Sequence, residues 1–126
     1  MQKLALVADD DISVLNLLSG ILETRGFRVI KAETGSEAVM AAMNSAPDII
    51  ITDINMPSGY GSSLYHRLQQ EEETKKIPFI FITGLPPEQA RTLVPVAPGV
   101  VLLTKPVAMQ KLLQTIASLL PPSPPQ

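Results

Sequence analysis

Three consecutive aspartates, Asp9, Asp10 and Asp11, directly follow the apolar run "LALVA" at residues 4–8. Neighbouring carboxylates repel one another, and an unpaired carboxylate is costly to bury. A fold that gathers them gains something in return, and a bound cation is the simplest gain. Three more reactive residue types stand at comparable places. Asp53 follows "DIIIT" (48–52), Thr83 closes "FIFIT" (79–83), and Lys105 follows "VVLLT" (100–104). Carboxylates with backbone carbonyls suit a hard, oxygen-loving ion such as Mg2+. Such an ion offsets the repulsion and bridges to phosphoryl oxygens, and one aspartate can then act as a nucleophile and become an acyl phosphate. A lysine and a hydroxyl complete a cradle for the negatively charged oxygens. The set points to metal-assisted phosphoryl transfer onto a carboxylate.

These residues can meet only if strands deliver them to one edge. Five apolar runs have strand length: 4–8, "FRVIKA" at 27–32, 48–52, 79–83 and 100–104. "IIIT" and "FIFIT" are nearly continuous rather than alternating, the pattern of strands covered on both faces in a parallel sheet. Helical patterns lie between them. From Ser13 to Arg25, the residues Val14, Leu15, Leu18, Ile21 and Leu22 form one stripe, and Gly26 suits its end. Thr34-Gly35-Ser36-Glu37 reads as a capping box ahead of a helix that continues from Val39 to Asn44. Leu64, Tyr65 and Leu68 mark a third helix, which runs out into the polar "QQEEETKK". A short helix is expected over roughly Pro87 to Val94, before Pro95 and Pro98 break the pattern. Leu112, Leu113, Ile116, Leu119 and Leu120 fit a 3.6-residue period ahead of "PPSPPQ". Strand and helix alternating in this way predict an open α/β sheet with helices on both faces. Such sheets carry their sites at the carboxyl ends of the strands, where Asp9 to Asp11, Asp53, Thr83 and Lys105 fall. Residues 1–120 read as the domain, and Pro121 to Gln126 as a proline-rich tail or linker.

A chain of 126 residues, 45% apolar, can bury one sizeable core. Ten basic residues against 12 acidic ones leave a net charge of -2, so neither nucleic acid nor an anionic membrane is an expected partner. The absence of cysteine excludes disulfides, thiolate metal sites and cysteine nucleophiles. No apolar stretch approaches the roughly 18 residues of a membrane span, and no signal-like segment opens the chain; a cytoplasmic location is the expectation. Phosphate-loop, dinucleotide and HExxH zinc motifs are missing. A Ser-His-Asp hydrolase would have to use His66, the single histidine, which sits among Tyr65, Arg67 and Gln69 and reads as a surface residue.

The acidic pair Asp9-Asp10, the segment "DINMPSGYG" at 53–61, Thr83 and Lys105-Pro106, in that order and each at a strand end, resemble the receiver domain of two-component response regulators, the CheY-like superfamily. The resemblance runs from Lys3 to about Leu120. It implies a doubly wound, flavodoxin-like α/β fold with a five-stranded parallel sheet of order 2-1-3-4-5. It implies that Asp53 is the phosphoacceptor. Mg2+ would be held by Asp10, Asp53 and the backbone carbonyl of Asn55, with Asp9 acting through water. Thr83 and Lys105 would contact the phosphoryl group. Met56, Pro57 and Gly61 match the loop after the phosphoacceptor, Gly84 matches the small residue after the threonine, and Pro106 matches a proline that the family usually joins to the lysine by a cis bond. Asp11 matches a variable position without metal duty. The implied donor is a sensor histidine kinase or phosphotransfer protein, and the implied output is an unidentified partner or fused domain. The implied chemistry is self-phosphorylation and autodephosphorylation, not turnover of a free metabolite by an enzyme.

The chain departs from the family pattern away from these residues. Three residues before the lysine, where the family usually carries a switching aromatic, stands Leu102. Pro98-Gly99 replaces a Gly-Ala pair, and Pro86, Pro87 and Pro95 crowd the fourth helix. An unusual output surface is expected. The alternative reading is a receiver-shaped interaction module that works without phosphorylation; Leu102 and the proline-rich fourth helix leave it open, and the acidic pair, Asp53, Thr83 and Lys105 oppose it. A haloacid-dehalogenase-like hydrolase would need a second aspartate two residues after the nucleophile, where this chain has Asn55.

Overall fold

The computed structural model describes residues 2–56 and 59–120, with the backbone alone at 55–56 and 59–62. Pro57 and the tail Pro121 to Gln126 lie outside the described residues. The apolar runs become β1 (Leu4–Ala8), β2 (Arg28–Ala32) and β3 (Ile49–Asp53), then β6 (Phe79–Thr83) and β7 (Val100–Thr104). Between them, β4 (Asn55–Met56) and β5 (Gly59–Tyr60) form a small antiparallel ladder. The five long strands make one parallel sheet in the order β2-β1-β3-β6-β7, which is 2-1-3-4-5 counted over the sheet. This is the doubly wound arrangement expected. Three strand boundaries move by one residue: β2 begins at Arg28, β3 begins at Ile49 rather than Asp48, and Asp53 is the last residue of β3 rather than the first after it.

Five helices, α1 (Ile12–Thr24), α2 (Gly35–Ser45), α3 (Gly61–Leu68), α4 (Pro87–Leu93) and α5 (Met109–Leu119), cover both faces. Successive strand side chains point to opposite faces, so the core divides into two layers. Leu6, Ile50, Phe79 and Phe81 pack with Ala38 and Ala42 of α2, Leu64 and Leu68 of α3, and Ala90 of α4. Ala5, Val7, Ile49, Ile51, Ile80 and Ile82 pack with Leu15, Leu18 and Leu22 of α1 and with Leu112 and Ile116 of α5. Every residue of β3 and β6 is buried, as the continuous apolar runs require. At about 1.5–3 kcal/mol per large buried side chain, these two strands hold the sheet from which the site residues project.

The helix starts follow their capping residues. The Asp11 carboxylate accepts hydrogen bonds from the Ser13 and Val14 N–H groups at 2.9 and 3.4 Å and so caps α1. Thr34 Oγ1 accepts from the Glu37 N–H at 3.1 Å, while Glu37 Oε1 reaches back to the N–H of Glu33, one residue beyond the usual reciprocal partner. After α1 the chain turns through Gly26 at φ +88°, a conformation that favours glycine. The helix α4 has only seven residues because prolines bound it on both sides, Pro86-Pro87 at its start and Pro95 just beyond. No helix among the described residues is long and apolar enough to cross a membrane.

Candidate functional site

Sheet register brings the site together. Ala8 of β1 pairs with Thr52 of β3, so the next residue on each strand, Asp9 and Asp53, projects from neighbouring positions. The Asp9 N–H donates to the Ala32 carbonyl at the end of β2 (3.1 Å), and the Ile54 N–H donates to the Ile82 carbonyl of β6 (3.2 Å). Both turns are thereby tied to the sheet. Lys105 leaves β7, two strands from Asp53, with its N–H bonded to the Thr83 carbonyl at 2.7 Å. Its long side chain crosses the strand ends, and Nζ lies 3.1 Å from Asp9 Oδ2 and 3.4 Å from Asp53 Oδ2.

Asp9 is 1% exposed and Asp53 is 8% exposed, whereas Asp10 faces solvent. Even so, each of the three offers a carboxylate oxygen within 4.8 Å of the others. The second oxygen of Asp9, Oδ1, accepts the Asp11 N–H at 2.9 Å. The backbone that starts α1 and the side chain of Lys105 therefore hold Asp9 from both sides. For Lys105, burial alone would lower the pKa. The hydrogen bond to Asp9 and the charges of Asp53 and Asp9 outweigh that effect and raise it above its ordinary 10.5. The ammonium is thus fixed in its charged form. An all-oxygen donor set with two of three carboxylates buried suits a hard divalent cation, and the residues present fit one.

Thr83 is buried at the end of β6. Its Oγ1 accepts the Leu85 N–H at 2.9 Å, which turns the chain after the strand. A Cβ added at Gly84 would meet no heavy atom within 4 Å, so the space beside this turn is open. The Lys105–Pro106 peptide bond is cis. Leu102 pairs in register with Phe81 and packs, half-buried, against the layer that includes α4. Asn55 and Met56 fall in β4 and Gly61 at the start of α3, and Pro57 lies outside the described residues. His66 is exposed on α3. The sequence-predicted aspartates and Lys105 are thus in direct contact range, while Thr83 stands beside them through the β6–β7 ladder.

Two contributors were not legible as site residues. Thr52 is buried next to Asp53 and donates its hydroxyl to the Asp53 carbonyl at 2.9 Å; in "IIIT" it reads only as a β-favouring residue. Asp11 supplies the N–H that holds Asp9, a backbone service its side-chain type does not announce.

The family of response regulator receiver domains matches residues 5–117. The protein PilH of Pseudomonas aeruginosa is 34% identical over 115 residues, which cover 91% of this chain and 95% of that protein. The structure of the chemotaxis response regulator CheY4 of Vibrio cholerae superposes with a TM-score of 0.86 at 27% identity, covering 95% of this chain and all of that one. The structure of the CheX–CheY–BeF3–Mg2+ complex from Borrelia burgdorferi superposes with a TM-score of 0.78 at 27% identity, covering 92% of this chain and 87% of that one. With the acidic cluster and Lys105 placed at the strand ends of this fold, the chain belongs to the response regulator receiver domain family and carries a receiver-type phosphoacceptor aspartate site.

Proposed function

We propose that Asp53 is the phosphoacceptor and that its donor is a phosphohistidine on a sensor histidine kinase or a phosphotransfer protein. The observation that carries this reading is the convergence of Asp9, Asp10 and Asp53 within 4.8 Å, with Lys105 Nζ between two of them. An Asp53 carboxylate oxygen forms a bond to phosphorus as the P–N bond to the donor imidazole breaks, and the imidazole leaves with its electron pair. Lys105, already at 3.4 Å from Asp53 Oδ2, pairs with the oxygens of the new acyl phosphate. The Thr83 hydroxyl, now accepting the Leu85 N–H, turns to donate to the same group. Water later attacks phosphorus, inorganic phosphate departs, and the Asp53 carboxylate is restored. The chain therefore modifies itself and does not turn over a free metabolite.

Mg2+ is the proposed ion, held by Asp10, Asp53 and the Asn55 carbonyl with Asp9 through water; when bound it neutralises the carboxylates and the incoming phosphoryl oxygens. The oxygen-only donor set supports this choice, as does the Mg2+ of the CheX–CheY–BeF3–Mg2+ complex from Borrelia burgdorferi. Met56, Pro57 and Gly61 would shape the loop beside the site, and Gly84 would leave room for the phosphoryl group. Phosphorylation would then change which output partner the domain binds. Leu102, on β7 where the family usually carries an aromatic, implies that this change does not use a swinging aromatic at that position. The reading goes with a cytoplasmic domain over residues 1–120, followed by a tail or linker at 121–126.

The test is intact-protein mass after incubation with acetyl phosphate and Mg2+, repeated with EDTA and with Asp53→Asn. A gain of one phosphoryl group that needs Mg2+ and disappears in Asp53→Asn is expected. A folded protein that gains none from acetyl phosphate or from a phosphorylated histidine kinase would instead be a phosphorylation-independent module.

A further inference from the structure

At the amino ends of the strands, opposite Asp53, a groove of about 520 Å3 opens between the end of α1 and the second half of α5. Leu113, Ile116, Ala117 and Leu120 form its α5 wall, and Phe27 closes the far side. The helix α5 turns Leu112, Thr115 and Ile116 into the core. Leu113, Ala117 and Leu120, four and three residues apart, form a second apolar line; the two leucines are half-buried and Ala117 is exposed. Lys3 and Arg25 complete the lining, and neither makes an ion pair among the described residues. Both charged residues of the lining are cations, while Arg28 and the Asp48 carboxylate, which accepts the Leu4 N–H at 2.8 Å, stand at the neighbouring strand ends.

We propose that this groove docks an amphipathic helix of a partner protein, with leucine-sized residues on one face and aspartate or glutamate beside them. The line from Leu113 to Leu120 covers about two turns, roughly 10 Å at 1.5 Å per residue. That length takes apolar anchors at i, i+3 or i+4, and i+7 of an incoming helix. Ala117, small and central, leaves room for the middle anchor between the two leucines. Lys3 and Arg25 select the charge of the occupant, because acidic flanks find cations there and basic flanks meet repulsion. The groove and Asp9 lie at opposite ends of β1, roughly 16 Å for five residues at about 3.3 Å each. An occupant therefore leaves the phosphorylation site open, and the proposal stands apart from the role given to Asp53.

The test is fluorescence anisotropy of the full chain with a labelled synthetic helix that carries leucines at i, i+4 and i+7 with flanking glutamates. A control peptide has lysine in place of each glutamate. Lys3→Glu/Arg25→Glu and Ala117→Asp are compared after circular dichroism has shown that they are folded, which their surface positions favour. Saturable binding of the glutamate peptide is expected, weakened at least about tenfold in each variant, with the lysine peptide preferring the charge-reversed protein. Absence of saturable binding, equal binding of both peptides, or unchanged affinity in both variants would overturn the proposal. So would a dimer in sedimentation equilibrium that Ala117→Asp dissolves, because it would assign the groove to a second copy of the chain.

Discussion

The ammonium nitrogen of Lys105 lies 3.1 Å from Oδ2 of the buried Asp9, and its second carboxylate neighbour is Asp53 at 3.4 Å. One side chain from the edge strand β7 therefore neutralises acids that leave β1 and β3. Lys105→Met keeps much of the apolar stem and removes the charge. We expect it to cost on the order of 1–3 kcal/mol in urea unfolding at neutral pH without divalent ions, because it leaves two largely buried carboxylates facing each other. Stability equal to that of the wild type would show that the ion pairs are incidental.

Divalent ions should oppose the same repulsion. Mg2+ added to the wild type should raise its unfolding midpoint, with about 2.7 kcal/mol of added stability at a hundred times the dissociation constant. Asp10→Asn, at the exposed member of the cluster, should weaken that response while leaving the metal-free fold intact. The gain from Mg2+ should be larger in Lys105→Met than in the wild type. Thermal melts across a Mg2+ titration read all three.

The pH dependence follows from the raised pKa of Lys105. A cation whose folded-state pKa exceeds its unfolded value contributes stability that is complete below the unfolded value of 10.5. That contribution is lost as pH rises through the folded value. The stability difference between the wild type and Lys105→Met should be level from about pH 7 to 10 and shrink above that window. Urea titrations across this range check the sign; a difference that grows with alkaline pH would contradict it.

Asp11 caps α1 through its carboxylate, and its N–H holds Asp9. Asp11→Ala should cost roughly 0.5–2 kcal/mol, and Asp11→Asn, which keeps an acceptor, should recover most of it. Chemical denaturation of both variants separates loss of the cap from loss of charge: equal destabilisation would mean that the charge, not the hydrogen bonds, matters.

Much of this geometry was legible in the sequence for a physical reason. The runs at Leu4–Ala8, Phe79–Thr83 and Val100–Thr104 are short, continuous and bounded by polar or turn residues, so strand limits coincide with composition. Asp9 and Lys105 follow the first and last of these limits directly, Asp53 closes β3, and parallel topology brings such positions together. The ladder of Asn55–Met56 with Gly59–Tyr60 was not legible, since two residues are too few for alternation to show. Nor was the shift of the Glu37 carboxylate from Thr34 to the N–H of Glu33, which depends on the angle at which the chain enters α2. The bridging of Asp9 and Asp53 by one ammonium depends on side-chain reach across the strand ends, which spacing along the chain does not encode.

The proposed acceptor of the phosphoryl group is Asp53, not the neighbouring Asp9 or Asp10. Borohydride reduces an aspartyl phosphate to homoserine, so peptide mass spectrometry after phosphorylation and reduction reads the acceptor directly. Homoserine at position 53, dependent on Mg2+ and absent without phosphodonor, is the predicted result. Homoserine at position 9 or 10, with Asp53 unchanged, would assign the acceptor to the β1 end instead of Asp53.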